Sequence, residues 1–283
     1  MMTLPRAARN SVLLNLCNLA PVLHPRSVVM IHDAQTYLFP QDYSGRQAAG
    51  YRALLPIIGS RAAKVITVSE YSKARLVEHR IAAADKIDVI HNGSDHILDE
   101  PADPSVLAKH ALEQGGYVLV IGTTKRYKNI STVFRALEDT GLRLVVAGGP
   151  GNAQSYLELG IKPPESTLFT GFVSDAELRS LYSHAGVFCL PSLTEGFGLP
   201  AVEAMQCGCP VIASNAGAMP EICGDAAILV SAENSGEWRE AIKAVLGEPA
   251  RADDLRKAGY DRAAAFQWER AAQQLWSSLE PLL

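Results

Sequence analysis

The sequence predicts an α/β protein built of two parallel-sheet domains of Rossmann type. Three observations carry that expectation. Short apolar runs recur at residues 27–32, 64–69, 87–91, 117–121, 143–147, 167–169, 186–190, 210–213 and 227–230, each about as long as a buried strand. Helical stretches lie between most of them, the alternation that gives parallel sheets. Between residues 94 and 116 the pattern loosens into clustered acids with Pro101 and Pro104, which separates the runs into two groups.

The 283 residues suit one large or two modest domains with a substantial core. A net charge of −4 gives no basic footprint for a nucleic acid. Five cysteines (Cys17, Cys189, Cys207, Cys209, Cys223) are an odd count without metal-ligand spacing, and Cys207-x-Cys209 reads as small packing residues. A reduced, cytoplasmic setting is expected. No apolar run approaches the ~18 residues of a membrane span. Arg6 and Arg9 ahead of the apolar stretch from Val12 imitate a signal peptide. Asn15 and Asn18 interrupt that stretch and no clear cleavage site follows, so it is not read as a leader.

In order, residues 27–32 form the first strand, with His32 and Asp33 at its carboxyl end, where open α/β sheets gather ligands. A helix over 47–63, kinked at Pro56, leads to the strand at 64–69. Ser69 is placed to cap a helix over 70–78. The strand at 87–91 ends in Asn92-Gly93. Three strands make a thin sheet, and the 27–31 run carries neither charge nor proline. It is expected to be an unpaired edge through which the chain self-associates or loses solubility. This first domain is assigned residues 1–100 and the linker 101–116, with a short helix near 105–113.

The second domain is assigned residues 117–265. A loop from Gly122 to Asn129 joins its first strand to a helix and carries Arg126 and Lys128, either an anion grip or solvated charges. Gly148-Gly149-Pro150-Gly151 is a flexible turn that could border a ligand. Phe172 is either core or a stacking surface. Ser174 and Glu177 form a capping box opening a helix to His184. The tail is helical, and its residues 266–283 form a last segment in which Trp268 and Trp276 read as packing anchors.

The chemistry concentrates in residues 192–221. Gly196 and Gly198 bracket Phe197, Pro200 sits where a first-turn proline belongs, and Gly208 closes a helix of about ten residues. Free amides at a helix N-terminus favour an anion, and glycines let a ligand approach the backbone. Glu195 and Glu203, with seven residues between them, would repel phosphate but can each accept hydrogen bonds from neighbouring hydroxyls. Phosphate on amides and polyol on acids describes a sugar nucleotide.

Glu195-Gly-Phe-Gly-Leu-Pro-x-x-Glu203-Ala-Met-x-x-Gly208, followed by Ala216-Gly-Ala-x-Pro-Glu221, resembles the donor site of the retaining GT-B glycosyltransferases of family 4. Ile31-His32-Asp33, the 65–72 segment and Val89-Ile-His-Asn-Gly93 resemble the second half of that family's acceptor-side domain. The resemblance implies that Glu195 binds donor-sugar hydroxyls and Glu203 the ribose diol. It implies that the amides of Gly196, Phe197, Gly198 and Leu199, with Lys128 and Arg126, hold the diphosphate, although the family's arginine position does not align cleanly here. Phe172 and Val173 would lie along the base, and His32 beside the reacting carbon. The C-terminal helix would cross back to the first domain. Further βα units and a Gly-rich turn open the family's first domain, so that domain is expected to be incomplete here and transfer slow.

The implied function is retaining transfer of a hexose, mannose being favoured, from a nucleotide diphosphate sugar to a glycan or lipid-linked acceptor in surface polysaccharide or glycoconjugate synthesis. No metal and no resident cofactor is implied, and GDP-sugars are favoured over UDP-sugars. The alternative is a non-catalytic or truncated nucleotide-sugar-binding partner protein. An epimerase or phosphorylase reading lacks supporting motifs.

Overall fold

The computed structural model describes residue 8 and residues 11–283; Arg6 and Arg9 lie outside the described residues. The chain divides into two compact units: residues 1–93, 195–197 and 268–283 belong to the first, and 94–194 and 198–267 to the second.

The first unit is built on a four-stranded parallel sheet in the order β1 (Leu13–Asn15), β2 (Ser27–Met30), β3 (Lys64–Thr67) and β4 (Ile87–Val89). Helices α1 (Gln35–Leu38) and α2 (Gly45–Arg61) connect β2 to β3, and α3 (Glu70–Glu78) leads towards β4. One strand was not foreseen. Asn15, which interrupts an apolar run in sequence, ends β1 and donates from Nδ2 to Ser27 Oγ and Val28 O, each at 3.1 Å. The consequence corrects the expected edge: β2 is paired on both sides, and its Val28 and Val29 are fully buried. Among the described residues the sheet edges are β1 and β4, so the 27–31 run, paired on both sides, offers no template for self-association.

Local signals explain the helices. Ser44 caps α2 by accepting from Gln47 N, and Pro56 lies inside that helix without ending it. Ser69 caps α3 by accepting from Ser72 N at 3.0 Å, as its position before the 70–78 stretch implies. Val29, Ile31, Leu55, Ile58, Val65, Leu76 and Ile81 form the core of this unit.

In the second unit the chain runs α4 (Ser105–Lys109), β5 (Val118–Ile121), α5 (Ile130–Leu137), β6 (Leu144–Ala147), α6 (Gln154–Leu157), β7 (Thr167–Gly171) and α7 (Asp175–His184). It continues through β8 (Val187–Leu190), α8 (Leu199–Gln206), β9 (Val211–Ser214), α9 (Met219–Cys223), β10 (Ile228–Val230), α10 (Ser235–Gly247) and α11 (Pro249–Ala263). All six strands are parallel, in the order β10-β9-β8-β5-β6-β7. The chain winds outward from β5 to β7, then returns to lay β8 against the other side of β5. That is a doubly wound sheet with its switch point between β5 and β8. The capping box of Ser174 and Glu177 opens α7 as the sequence implies. Residues 101–116, expected as a linker, belong to this unit, with Val106, Leu107 and Leu112 buried in it. Acids and prolines masked those three apolar anchors in sequence.

The last helix, α12 (Trp268–Leu279), belongs to the first unit. Its Ala271, Leu275 and Leu279 pack with Val28, Ile66 and Ile90 on one face of the four-stranded sheet. The anchoring role expected of Trp276 falls to these smaller residues, since Trp276 is 58% exposed. Trp268 lies against Gly93 so closely that a Cβ there would collide with its backbone.

Candidate functional site

In the second unit a cleft opens at the switch point, lined among others by Ile121, Thr123, Lys128, Leu190, Ser192 and Pro200. The ends of β5 and β8, the lysine turn and the first turn of α8 therefore meet in one place. Residues Arg126–Lys128 form a single 3-10 turn. Asn129 follows at φ 51°, a left-handed conformation that Asn tolerates better than most residues. Its side-chain amide donates to Pro191 O at 3.1 Å and Ala232 O at 2.7 Å. Leu193 N donates to Tyr127 O at 2.7 Å. These bonds staple the lysine turn to the loop leaving β8. Lys128 is half-buried with its ammonium 5.3 Å from the Tyr127 ring centre, whereas Arg126 is exposed.

Helix α8 begins at Gly198, which has φ 85° and no side chain to cap the first amides. Glycine suits this position because the conformation is left-handed and a Cβ would push Met219 Cε aside. Uncapped amides and the helix dipole leave this end ready for an anion.

Glu203 lies one turn further on, 8% exposed. Tyr182 Oη donates to its Oε2 at 3.4 Å, and His96 Nε2 stands 3.2 Å from Oε1. Burial pushes the Glu203 carboxyl up, and the neighbouring His96 opposes that shift. Burial, and behind it the Glu203 charge, also push the Tyr182 phenol well above its ordinary range. The sequence did not reveal either partner. His96 comes from a one-turn segment more than a hundred residues away, and Tyr182 looks like an ordinary core residue of α7. On the far side of the sheet, Phe172 is 91% exposed, which excludes the core role and leaves a ring free for stacking; Val173 is half-buried.

The first unit holds His32, Glu195, Gly196 and Phe197. His32 N donates to Asn18 Oδ1 at 3.0 Å, and its Nε2 stands 3.1 Å from Leu16 O, which selects the tautomer with the proton on Nε2. Gly196 packs directly on this turn: a Cβ there would stand 3.0 Å from Asp33 Cβ and 3.1 Å from His32 O. Its carbonyl accepts from Ser69 Oγ at 2.5 Å and Ser72 Oγ at 3.2 Å. Glu195 is 7% exposed, and the Phe197 ring lies 6.1 Å from His91. Ser69 and Ser72 thus position the tripeptide beside His32, a role hidden in sequence behind their capping pattern. Among the described residues no cluster of three or more His, Cys, Asp or Glu could hold a metal ion. Among them, too, no helix is long and apolar enough to cross a membrane.

A doubly wound sheet whose switch point gathers a lysine and an uncapped helix N-terminus is a layout of the Rossmann class, chemically suited to an anionic group such as a phosphate. The chain belongs to the family described as "Glycosyl transferases group 1", whose profile matches residues 105–262, and the profile of "Glycosyltransferase Family 4" matches residues 8–97. It is 32% identical over 269 residues to O-antigen chain mannosyltransferase B of Escherichia coli, covering 88% of this chain and 68% of that protein. It is 29% identical over 236 residues to D-inositol 3-phosphate glycosyltransferase of Corynebacterium aurimucosum, covering 75% and 56% respectively. Among solved structures, sucrose-phosphate synthase from Thermosynechococcus elongatus matches with a TM-score of 0.72 at 26% identity, over 90% of this chain and 67% of that one. The chain spans from 49% to 68% of the length of such relatives by sequence.

Proposed function

We propose that this chain moves a hexose from a nucleotide diphosphate sugar to an acceptor hydroxyl with retention, in the synthesis of a surface polysaccharide or glycoconjugate. One observation carries the reading: Lys128 and the first turn of α8 line a single cleft at the sheet's switch point. Cation and amides together suit a diphosphate and would stabilise the charge left on it as the bond to the sugar breaks. The acceptor oxygen bonds to the sugar carbon on the face the phosphate leaves, and the leaving phosphate takes the hydroxyl proton. Glu195 holds donor-sugar hydroxyls, and His32 stands by the reacting carbon. A carboxylate offers about four acceptor positions, so Glu203 keeps capacity for a ribose diol beyond Tyr182 and His96. Arg126 assists at the diphosphate, and Phe172 and Val173 border the base. GDP-mannose is the favoured donor, supported by the mannosyltransferase name of the Escherichia coli relative.

Calorimetry against GDP, UDP and ADP, with the matching nucleosides, tests the reading. At least one diphosphate binds, and Lys128→Ala weakens it by about 1.5–3 kcal/mol, the range for a hydrogen bond to a charged group, while sparing the nucleoside. Equal loss for both ligands, or for neither, removes Lys128 from the site. Turnover with the preferred sugar nucleotide is unchanged by a chelator; its abolition contradicts a phosphate held by protein groups alone.

A further inference from the structure

Glu203 is an ionisable side chain in an apolar setting. On α8 it stands among Ala201, Val202, Ala204 and Met205, all fully buried. A carboxylate in such surroundings must be partnered or give up its charge. It has a donor on each oxygen, Tyr182 Oη on Oε2 and His96 Nε2 on Oε1. The two are not equivalent. Against the burial that pushes the carboxyl up, His96 is the largest counterweight and Tyr182 the next, while the charge of Asp175 adds to the push. The other charged groups of the packed helices act one step away: Arg179 of α7 on Cys207, and Arg256 of α11 on Cys209. Facing a carboxylate, Nε2 of His96 carries the ring proton and donates it.

The fold fixes His96 in this place from three sides. It stands in the 3-10 turn Asp95–Leu98, which packs against both α7 and α8. Ser94 opens the turn and donates to Phe266 O twice, from N at 3.0 Å and from Oγ at 3.3 Å. Ile97 buries its side chain and is 2% exposed. Arg179 donates from Nη1 to Leu98 O at 3.1 Å and to Glu100 O at 2.6 Å. Arg179 and Tyr182 lie one turn apart on α7, so a single helix clamps the turn and supplies the second donor to Glu203. On the turn itself Asp95 and Asp99 flank the imidazole along the chain. An ionised carboxylate offers about four acceptor positions, so two remain beyond His96 and Tyr182; protonation would replace one of them with a hydrogen.

We propose that His96 is a positioning residue for the nucleotide: its Nε2–H holds the buried Glu203 carboxylate ionised and oriented, so that the free acceptor positions meet the two hydroxyls of a ribose. This rests on the reading of Glu203 as the ribose ligand, and the test separates the two. Calorimetry on the full chain compares whichever of GDP, UDP and ADP binds tightest with its dideoxy form, which lacks both ribose hydroxyls, from neutral pH down through the carboxylate range. The ratio of the two affinities isolates the diol, because the titration of the diphosphate cancels. The parent prefers the ribose form, and the preference fades as Glu203 takes up a proton. His96→Leu reduces the ratio about three- to tenfold at neutral pH, the contribution of one hydrogen bond, and moves the fading to higher pH. His96→Gln keeps a donor and recovers part of the ratio, whereas a merely structural loss would weaken both ligands alike. A ligand-free arm follows the stability difference between the parent and Glu203→Gln with pH, by urea midpoint, with and without His96→Leu. Removing His96 extends that pH window upward, because the folded carboxyl then holds its proton more tightly. The proposal is overturned if the window stays in place, or if His96→Leu leaves the ratio unchanged or weakens both ligands equally. If the window moves but the parent does not prefer the ribose form, His96 governs the carboxyl and the assignment of Glu203 to a ribose falls, taking the positioning role with it.

Discussion

Glu203 shows how much one side chain's surroundings decide. Its carboxyl is pushed up chiefly by burial, so the folded chain holds the proton more tightly than the unfolded chain does. A group with a raised folded pKa contributes stability that is fully present below its unfolded value and lost as pH rises through the folded one. Relative to Glu203→Gln, which has no proton to lose, the parent should therefore lose stability as pH rises from the ordinary glutamate range, near 4.3, towards neutrality. Urea midpoints of both proteins across that window check it; a constant difference would mean the carboxyl does not titrate there. At this scale the sequence exposed the acids and the lysine, because their spacing and their place in a glycine-rich turn are local properties. It concealed His96 and Tyr182, because a partner brought in by folding leaves no mark beside the residue it touches.

Two short elements hold the site's backbone. Ser69 caps α3 and also donates to Gly196 O, so Ser69→Ala removes a cap and a buried hydrogen bond together. A loss of about 1–3 kcal/mol is expected from those two contributions, read from thermal or urea unfolding. Retention of Ser72 Oγ on the same carbonyl keeps the loss towards the lower end. Gly198→Ala meets two obstacles, a left-handed φ of 85° and Met219 Cε. The conformation alone should cost about 1–2 kcal/mol, and nucleotide diphosphate binding should fall with it because the first turn of α8 shifts. Because Met219 is fully buried, Met219→Ala alone costs about 2–5 kcal/mol, and adding Gly198→Ala to it should cost less than Gly198→Ala costs in the parent by the part due to collision. The caps at Ser69 and Ser174 were legible because capping is written in consecutive residues. Strand β1 was not, since Leu13-Leu14-Asn15 is too short to show a period and Asn15 makes its case only through Ser27 and Val28.

Across the whole molecule, the assignment of α12 to the first unit matters most. Replacing Leu275 and Leu279 by Asp should uncover Val28, Ile66 and Ile90 and selectively destabilise that unit. Hydrogen exchange should accelerate at the amides of β2 and β3 while those of β5 and β8 stay protected; uniform acceleration would contradict it. Helix α12 also bears on the order of synthesis. A ribosome delivers β2, β3 and β4 early, yet the helix that covers Val28, Ile66 and Ile90 is translated only after the entire second unit. At about 5–20 residues per second, those apolar side chains wait roughly ten seconds or more for their cover. The nascent chain should thus recruit holding chaperones through its first sheet, and should release them only when translation passes residue 279.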